Sequence, residues 1–230
     1  MGGWYYIDDN ELYNSQIISA GLGEDASFDI ELINKYNCKV ISVDPTPKAI
    51  EHYYSIINNS GEIKKLKYNN TGREKVNSYD LIKISKENYI LEKYALYNQE
   101  NQIVNFYKPI NFDDVSHSIG NWQNDYKTNT PKIKVVTTKV KNILIKHNIK
   151  KLALLKLDIE GAEIEVINDI IDNKIYPNQI LVEMDELHNL NTKTFERFKK
   201  TYNILVSNGY SLIKTKAKFQ DMLFLRNSIK

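Results

Sequence analysis

The sequence predicts an α/β fold: a mostly parallel sheet, covered by helices, that ends in an antiparallel pair of strands. Three observations predict it. Short apolar runs alternate with segments of helical periodicity along most of the 230 residues, and such alternation builds right-handed βαβ units. One run, Leu152 to Asp158, is almost continuously apolar, as a strand buried on both faces should be. The last two runs, 210–214 and 221–225, are about six residues apart, which is hairpin spacing.

The first ~16 residues are polar and aromatic without a helical stripe. Gln16 to Ala20 is a short apolar run stopped by Gly21, a buried strand, and 25–36 carries a helical pattern through Phe28, Ile30, Leu32, Ile33 and Tyr36. Lys39 to Val43 is a β-branched run stopped by Asp44-Pro45, followed by a helix over 48–58. The Lys- and Asn-rich segment 60–88 reads as loops with one short helix. Tyr89 to Leu96 reads as one third strand, 102–107 as an edge strand, and 109–131 as a long loop of the length that is usually functional or disordered. A strand over 134–138, a helix over 139–147, the central strand 152–158, a helix over 162–173, a strand over 179–184 and a helix ending near Asn208-Gly209 complete the order.

Composition narrows the function. Lys+Arg 31 against Asp+Glu 29 gives a net charge of +2, without the basic excess of a dedicated nucleic-acid binder. No apolar run approaches the ~18 residues of a membrane span, and the N-terminus lacks the basic-then-apolar order of a secretory signal. A single cysteine, Cys38, excludes an internal disulfide framework and a Cys-clustered zinc site. The default expectation is a cytoplasmic protein of one domain.

Ligands of open α/β sheets sit at the carboxyl ends of the strands. After the first strand stands Gly21-Leu22-Gly23-Glu24-Asp25-Ala26; Asp44-Pro45 ends the second, Tyr94-Ala95 the third, Asp158-Ile159-Glu160-Gly161 follows the central one, and Glu183-Met184-Asp185-Glu186-Leu187-His188 the last before the hairpin. The first loop fits the dinucleotide fingerprint G-x-G-x-x-G/A, with Asp44 near the spacing of a ribose-binding acid. Glu24 and Asp25, however, stand where a pyrophosphate would meet the helix N-terminus. Two carboxylates there suit a cofactor with a cationic end and no phosphate, and S-adenosylmethionine is such a molecule. A tight turn with Glu24 or Asp25 capping a helix is the plainer reading of the same residues.

The stretches Ser-Ala-Gly-Leu-Gly-Glu-Asp-Ala-Ser-Phe-Asp at 19–29, Val-Asp-Pro-Thr-Pro at 43–47 and Leu-Lys-Leu-Asp-Ile-Glu-Gly-Ala-Glu at 155–163 resemble the FkbM family of S-adenosylmethionine-dependent methyltransferases. The similarity runs from about Gly3-Trp4 to the final hairpin, and the first loop departs from the family's usual Gly-Ala-Asn-x-Gly. The resemblance implies a Rossmann-like class I methyltransferase fold, a doubly wound sheet of seven strands whose last is antiparallel. It also implies O-methylation, often of a sugar or polyketide hydroxyl, and for bacterial members a place in surface-polysaccharide biosynthesis. A start already inside the family-like region also fits a domain cut from a longer polypeptide. By the same resemblance, Gly21 and Gly23 line the methionine end of the cofactor, amid Glu24, Asp25 and Phe28. Asp44 binds the ribose with Pro45 beside the adenine, Tyr94 and Ala95 border the adenine, and Asp158 lies near the ammonium and the reacting methyl.

Methyl transfer to a hydroxyl needs in-line positioning and a general base. His188, on the rim after the fifth core strand, is the first candidate; His117, in the 109–131 loop with Ser116, Ser118 and Trp122, is the second; Asp158 and Glu183 are further candidates. His52 reads as a solvated helix residue, His147 as a helix C-terminal partner, and Glu163 as a first-turn acid serving the helix dipole. No metal is assigned, although the acids Glu183, Asp185 and Glu186 near Asp158 would suit Mg²⁺. The small-molecule acceptor is expected to be a sugar or nucleotide-sugar. The alternatives are a nicotinamide-dependent oxidoreductase and a non-catalytic module that keeps the fold.

Overall fold

The computed structural model describes residues 3–69, 71–109, 116–124, 126–188, 191–215 and 221–227, apart from the side chains of residues 122, 123 and 186. Among the described residues ten strands are formed: β1 (Gln16–Ala20), β2 (Lys39–Val43), β3 (Tyr89–Glu92), β4 (Ala95–Leu96), β5 (Ile103–Tyr107), β6 (Lys132–Thr138), β7 (Leu152–Leu157), β8 (Gln179–Glu183), β9 (Tyr210–Thr215) and β10 (Asp221–Arg226). Five helices accompany them: α1 (Ser27–Tyr36), α2 (Pro47–Asn58), α3 (Val140–Lys146), α4 (Glu163–Asp172) and α5 (Thr192–Ser207).

Seven strands make the main sheet in the order β3-β2-β1-β7-β8-β10-β9. β1 pairs in parallel with β2 and β7, β2 with β3, and β7 with β8, while β10 runs antiparallel to both β8 and β9. This is the class I methyltransferase arrangement, with the final strand inserted antiparallel. Alternate residues of each strand feed opposite cores. Ile17, Val40 and Leu154 pack with Phe28, Ile33, Tyr53 and Ile56 of α1 and α2. Ile18, Ile41 and Leu155 pack with Ile143, Ile167, Ile170 and Leu205 of α3, α4 and α5. A helix layer on each face buries every residue of β7.

The helices follow from local chemistry. Pro47 opens α2, where a missing N–H costs nothing. Asn37 in the left-handed region closes α1. At the start of α5 the Asn191 carboxamide and Thr194 form a reciprocal capping box.

Tyr89 to Leu96 is not one strand. β3 ends at Glu92, opposite Val43. Beyond that point β2 turns into Asp44-Pro45, and proline has no N–H to continue a ladder. The chain bends at Lys93-Tyr94, and Ala95 and Leu96 pair with Thr137 and Thr138 in a second, three-stranded sheet of order β4-β6-β5. The third strand end is therefore also acidic, and buried Glu92 is held by Lys146 (2.8 Å) and His147 (2.7 Å). His147 does cap the C-terminus of α3, as expected, but Glu92 is what holds its ring.

His52 corrects the sequence expectation more sharply. It is 9% exposed, not solvated. Its Nε2 lies 2.9 Å from the Tyr79 hydroxyl, which also accepts the backbone N–H of Ala26 at 3.0 Å. Burial pushes its pKa down, so a neutral imidazole supports the entry to α1.

Candidate active site

The carboxyl ends of β1, β2 and β7 open into one cleft of about 220 Å³. Every expected cofactor residue lines it: Gly21, Gly23, Glu24, Asp25, Phe28, Asp44, Pro45, Tyr94, Ala95 and Asp158. Of the expected base candidates, Asp158 and His117 line it, together with Ser116, Phe106, Glu160 and Trp4.

Gly21 is where two strand ends touch. Its φ is +85°, and a Cβ built on it would lie 1.8 Å from the Asp158 carbonyl oxygen. Only glycine satisfies both conditions. The peptide links hold this contact: Asp158 N–H donates to Ala20 O at 3.2 Å, and Gly21 N–H donates to Val43 O at 3.1 Å.

Asp44 builds the loop. Its Oδ2 accepts the N–H groups of Leu22 and Gly23, each at 3.0 Å. Its Oδ1 accepts the N–H (2.8 Å) and hydroxyl (2.7 Å) of Thr46. Four donors thus already meet the carboxylate that was expected to receive the ribose hydroxyls. A ribose at this site shares or displaces these contacts.

The expected repulsion from Glu24 and Asp25 needs correction. The Glu24 carboxylate lies 3.7 Å from both Lys48 and Arg73, and its carbonyl accepts the Glu74 N–H at 2.8 Å. Asp25 accepts the Ser27 N–H at 2.8 Å, just ahead of the N-cap Ala26, so it supports the helix entry without being the cap itself. Paired this way, Glu24 presents little net charge to a phosphate. Arg73 lies 49 positions away in sequence, so the loop itself does not show this pairing; the other acids of the cleft, Asp25, Asp29, Asp44, Asp158 and Glu160, still face an entering phosphate.

The loop after β7 is drawn tight by its own motif. Glu163, 1% exposed, turns back to accept the N–H of Ile159 (3.0 Å) and of Gly161 (3.0 Å). Burial, then the nearby Asp185, pushes its pKa well up. Glu160 (φ +58°) and Gly161 (φ +102°) take the left-handed turns that this closure requires. Glu163 thus shapes the loop rather than merely complementing a dipole, and the turn leaves Asp158 and Glu160 facing the cleft.

Lys156 joins the cleft without having a role in the sequence motifs. It is the one charged residue within the apolar run Leu-Ala-Leu-Leu-Lys-Leu of β7, and that contrast was visible in the sequence. Its ammonium donates to Gly21 O at 3.0 Å, pairs with Asp158 at 3.2 Å and sits 4.8 Å below the Trp4 ring. Asp29, in the first turn of α1, lines the same cleft. Burial pushes its carboxyl up to about 6, against the lowering effect of Ser19, Lys156 and Tyr89.

Neither His188 nor Glu183 is among the residues lining the cleft, although Glu183 lies near enough to Asp158 to feel its charge. His188 Nδ1 lies 2.9 Å from Asp185 and its Nε2 3.9 Å from Glu183. Burial, then Asp158, Asp185 and Asp221, pushes the Glu183 carboxyl up to about 8. Glu183, Asp185 and His188 present donor atoms within 4.8 Å of one another, a spacing that can hold a divalent cation. The Glu186 side chain lies outside the described residues, as does that of Trp122. Ser118 is buried and bridges to Tyr107 of β5, a structural role.

The acid-lined cleft with an apolar border at Pro45, Tyr94, Ala95 and Leu96 fits a cationic adenosine cofactor. The family comparison decides the matter: a model described as the methyltransferase FkbM domain matches residues 18–212. The chain belongs to the FkbM methyltransferase family. The match starts within β1 and ends within β9, inside the span expected from the motifs, and contains every residue assigned to the cleft except Trp4. FkbM methyltransferases use S-adenosylmethionine, so the nicotinamide alternative is set aside. Among solved structures, a fibrillarin/Nop5p complex is similar with 9% identity and a TM-score of 0.45, covering 93% of this chain and 73% of that one. The Methanococcus jannaschii fibrillarin pre-rRNA processing protein gives 11% identity and a TM-score of 0.44, covering 98% and 71%. No curated protein sequence matches. Among the described residues, no helix is long and apolar enough to cross a membrane.

Proposed function

We propose that this FkbM methyltransferase methylates a hydroxyl of a sugar or nucleotide-linked sugar, in the cytoplasm, as a step of surface-polysaccharide assembly, and that the whole chain acts as one domain. The observation that carries the O-methyl reading is the position of His117, which lines the same cleft as Asp158. When bound, S-adenosylmethionine supplies an electrophilic methyl group on a sulfonium. The chain has to orient that end and remove one proton from the acceptor oxygen. Asp158 and the Gly21–Gly23 loop hold the methionine end, Asp44 takes the ribose side, and Pro45, Tyr94 and Ala95 flank the adenine. His117 accepts the hydroxyl proton, a role imidazole performs at neutral pH. Ser116 and Glu160 offer hydrogen-bonding partners to further hydroxyls, and Phe106 and Ile159 offer apolar surface to a sugar ring. His188 was the first candidate for the base; its place beside Asp185, off the cleft, favours His117 instead.

The test is methyl transfer from labelled S-adenosylmethionine across a panel of nucleotide-linked sugars. Labelled ether formation on a sugar, lost by about 10²–10⁴-fold in His117→Gln with S-adenosylhomocysteine binding retained, is the expected result. Loss in His188→Gln alone would move the base to the Glu183 side. No labelled sugar at all would refute the acceptor class.

A further inference from the structure

The cofactor cleft has an unusual charge pattern. Six acids line it: Glu24, Asp25, Asp29, Asp44, Asp158 and Glu160. Among the described lining residues the only lysine or arginine is Lys156. S-adenosylmethionine carries an α-carboxylate as well as its ammonium and sulfonium. Lys48 and Arg73 offset Glu24, yet an anion entering the cleft still meets five further acids and is repelled from most directions. It needs one cation at the correct end.

Lys156 stands at that end. Its side chain is only 5% exposed, and it rises from β7 directly beneath the Gly21 peptide. Three acceptors surround the ammonium at unequal range: Gly21 O at 3.0 Å, Asp158 at 3.2 Å and Ala20 O at 3.5 Å. The last contact is at the limit of a hydrogen bond, so the donor spent on it can turn to a better acceptor at little cost. The Trp4 ring, from the N-terminal segment, lies over the ammonium at 4.8 Å.

We infer that Lys156 is the counter-charge for the cofactor's α-carboxylate, working beside Asp158, which takes the α-ammonium. The two side chains, two residues apart on one strand, then form a matched pair for a zwitterionic amino-acid head. The inference rests on the placement of the methionine end at Asp158. It does not depend on what the acceptor is.

The experiment is calorimetric titration with S-adenosylhomocysteine and with its decarboxylated analogue, neither of which needs an acceptor. In the wild-type protein the carboxylate should improve binding by about 10- to 100-fold, the usual range for a charge-assisted hydrogen bond. In Lys156→Met, S-adenosylhomocysteine should fall to the level of the analogue, while the analogue stays unchanged. Lys156→Gln, which keeps a donor for Gly21 O without the charge, serves should the methionine variant fail to fold. Lys48→Ala, at the rim, should leave the preference intact.

Equal binding of the two ligands to the wild type overturns the inference without any variant. So does an equal loss of both ligands in Lys156→Gln, which would make Lys156 a clamp on the loop. Loss of the preference in Lys48→Ala would place the carboxylate at the rim and also overturn it. If the wild type binds neither ligand, the cofactor placement falls and the inference with it, whereas failure to find a methylated sugar would leave it untouched.

Discussion

Replacing Gly21 with alanine tests the geometry at the floor of the cleft. The new Cβ would lie 1.8 Å from the Asp158 carbonyl oxygen, where ordinary contact begins at 3.4 Å. The obstacle is backbone in a hydrogen-bonded strand end, so no side chain can swing away. Relief requires the ends of β1 and β7 to part, which breaks the Asp158 N–H to Ala20 O bond and the Lys156 to Gly21 O bond. Two lost hydrogen bonds cost about 1 kcal/mol each, overpacking about 1–3 kcal/mol and the left-handed backbone about 1–2 kcal/mol. A total of about 4–7 kcal/mol is a large share of the ~5–15 kcal/mol that holds a typical domain together. Gly209 is the internal control. Its φ is also +85°, but a Cβ there meets nothing within 4 Å, so Gly209→Ala should cost only the backbone part. Urea unfolding of both variants separates the two contributions, and titration with S-adenosylhomocysteine should show binding lost in Gly21→Ala alone. Equal destabilisation of the two variants would refute the close approach of β1 to β7.

Asp44→Asn should destabilise the fold by about 2 kcal/mol as well as weaken cofactor binding. The amide would turn an NH₂ toward N–H donors now satisfied by a carboxylate; unchanged urea stability would contradict this. Asp29 sets a pH dependence. Its raised pKa means that folding keeps its full stability below the ordinary value near 3.8 and loses it as pH rises to about 6. A fully buried group shifted this far contributes about 3 kcal/mol. The stability of Asp29→Asn relative to wild type should therefore rise between pH 4 and 6 and stay level above, and a flat difference would count against the burial of that carboxyl. The Cys38 thiol is 1% exposed and its pKa is pushed up to about 12 by burial. Native protein at pH 8 should resist a thiol reagent that labels the urea-unfolded chain at once. Turnover should survive EDTA, because the proposed base, His117, belongs to the cleft and not to the Glu183, Asp185 and His188 group. Loss restored by Mg²⁺ would shift the reacting acceptor toward that group.

The strand and helix order was legible because it depends on local patterns. Leu152 to Leu157 is apolar except for Lys156 and becomes the central strand; the spacing of the last two runs becomes the β9–β10 hairpin. The glycine loop and the Asp-Ile-Glu-Gly motif identified the cleft, because positive φ and an acid at a strand end leave their mark in residue type. The break within 89–96 was less visible. Its cause, Pro45, lies in a neighbouring strand, and a run of β-forming residues does not record where its partner stops.

Residue type and order determined the fold family, the cleft and the acids that line it, since burial periodicity and strand-end chemistry are written along the chain. Tertiary structure decided how those charges are balanced. It placed Arg73 and Lys48 on Glu24, gave Asp44 four donors from two loops, buried His52 against Tyr79, and brought His117 to the cleft while leaving His188 beside Asp185. The physical reason is range. Hydrophobic patterning acts between residues a few positions apart, whereas an ion pair or a buried hydrogen bond joins whatever the folded chain brings within about 4 Å.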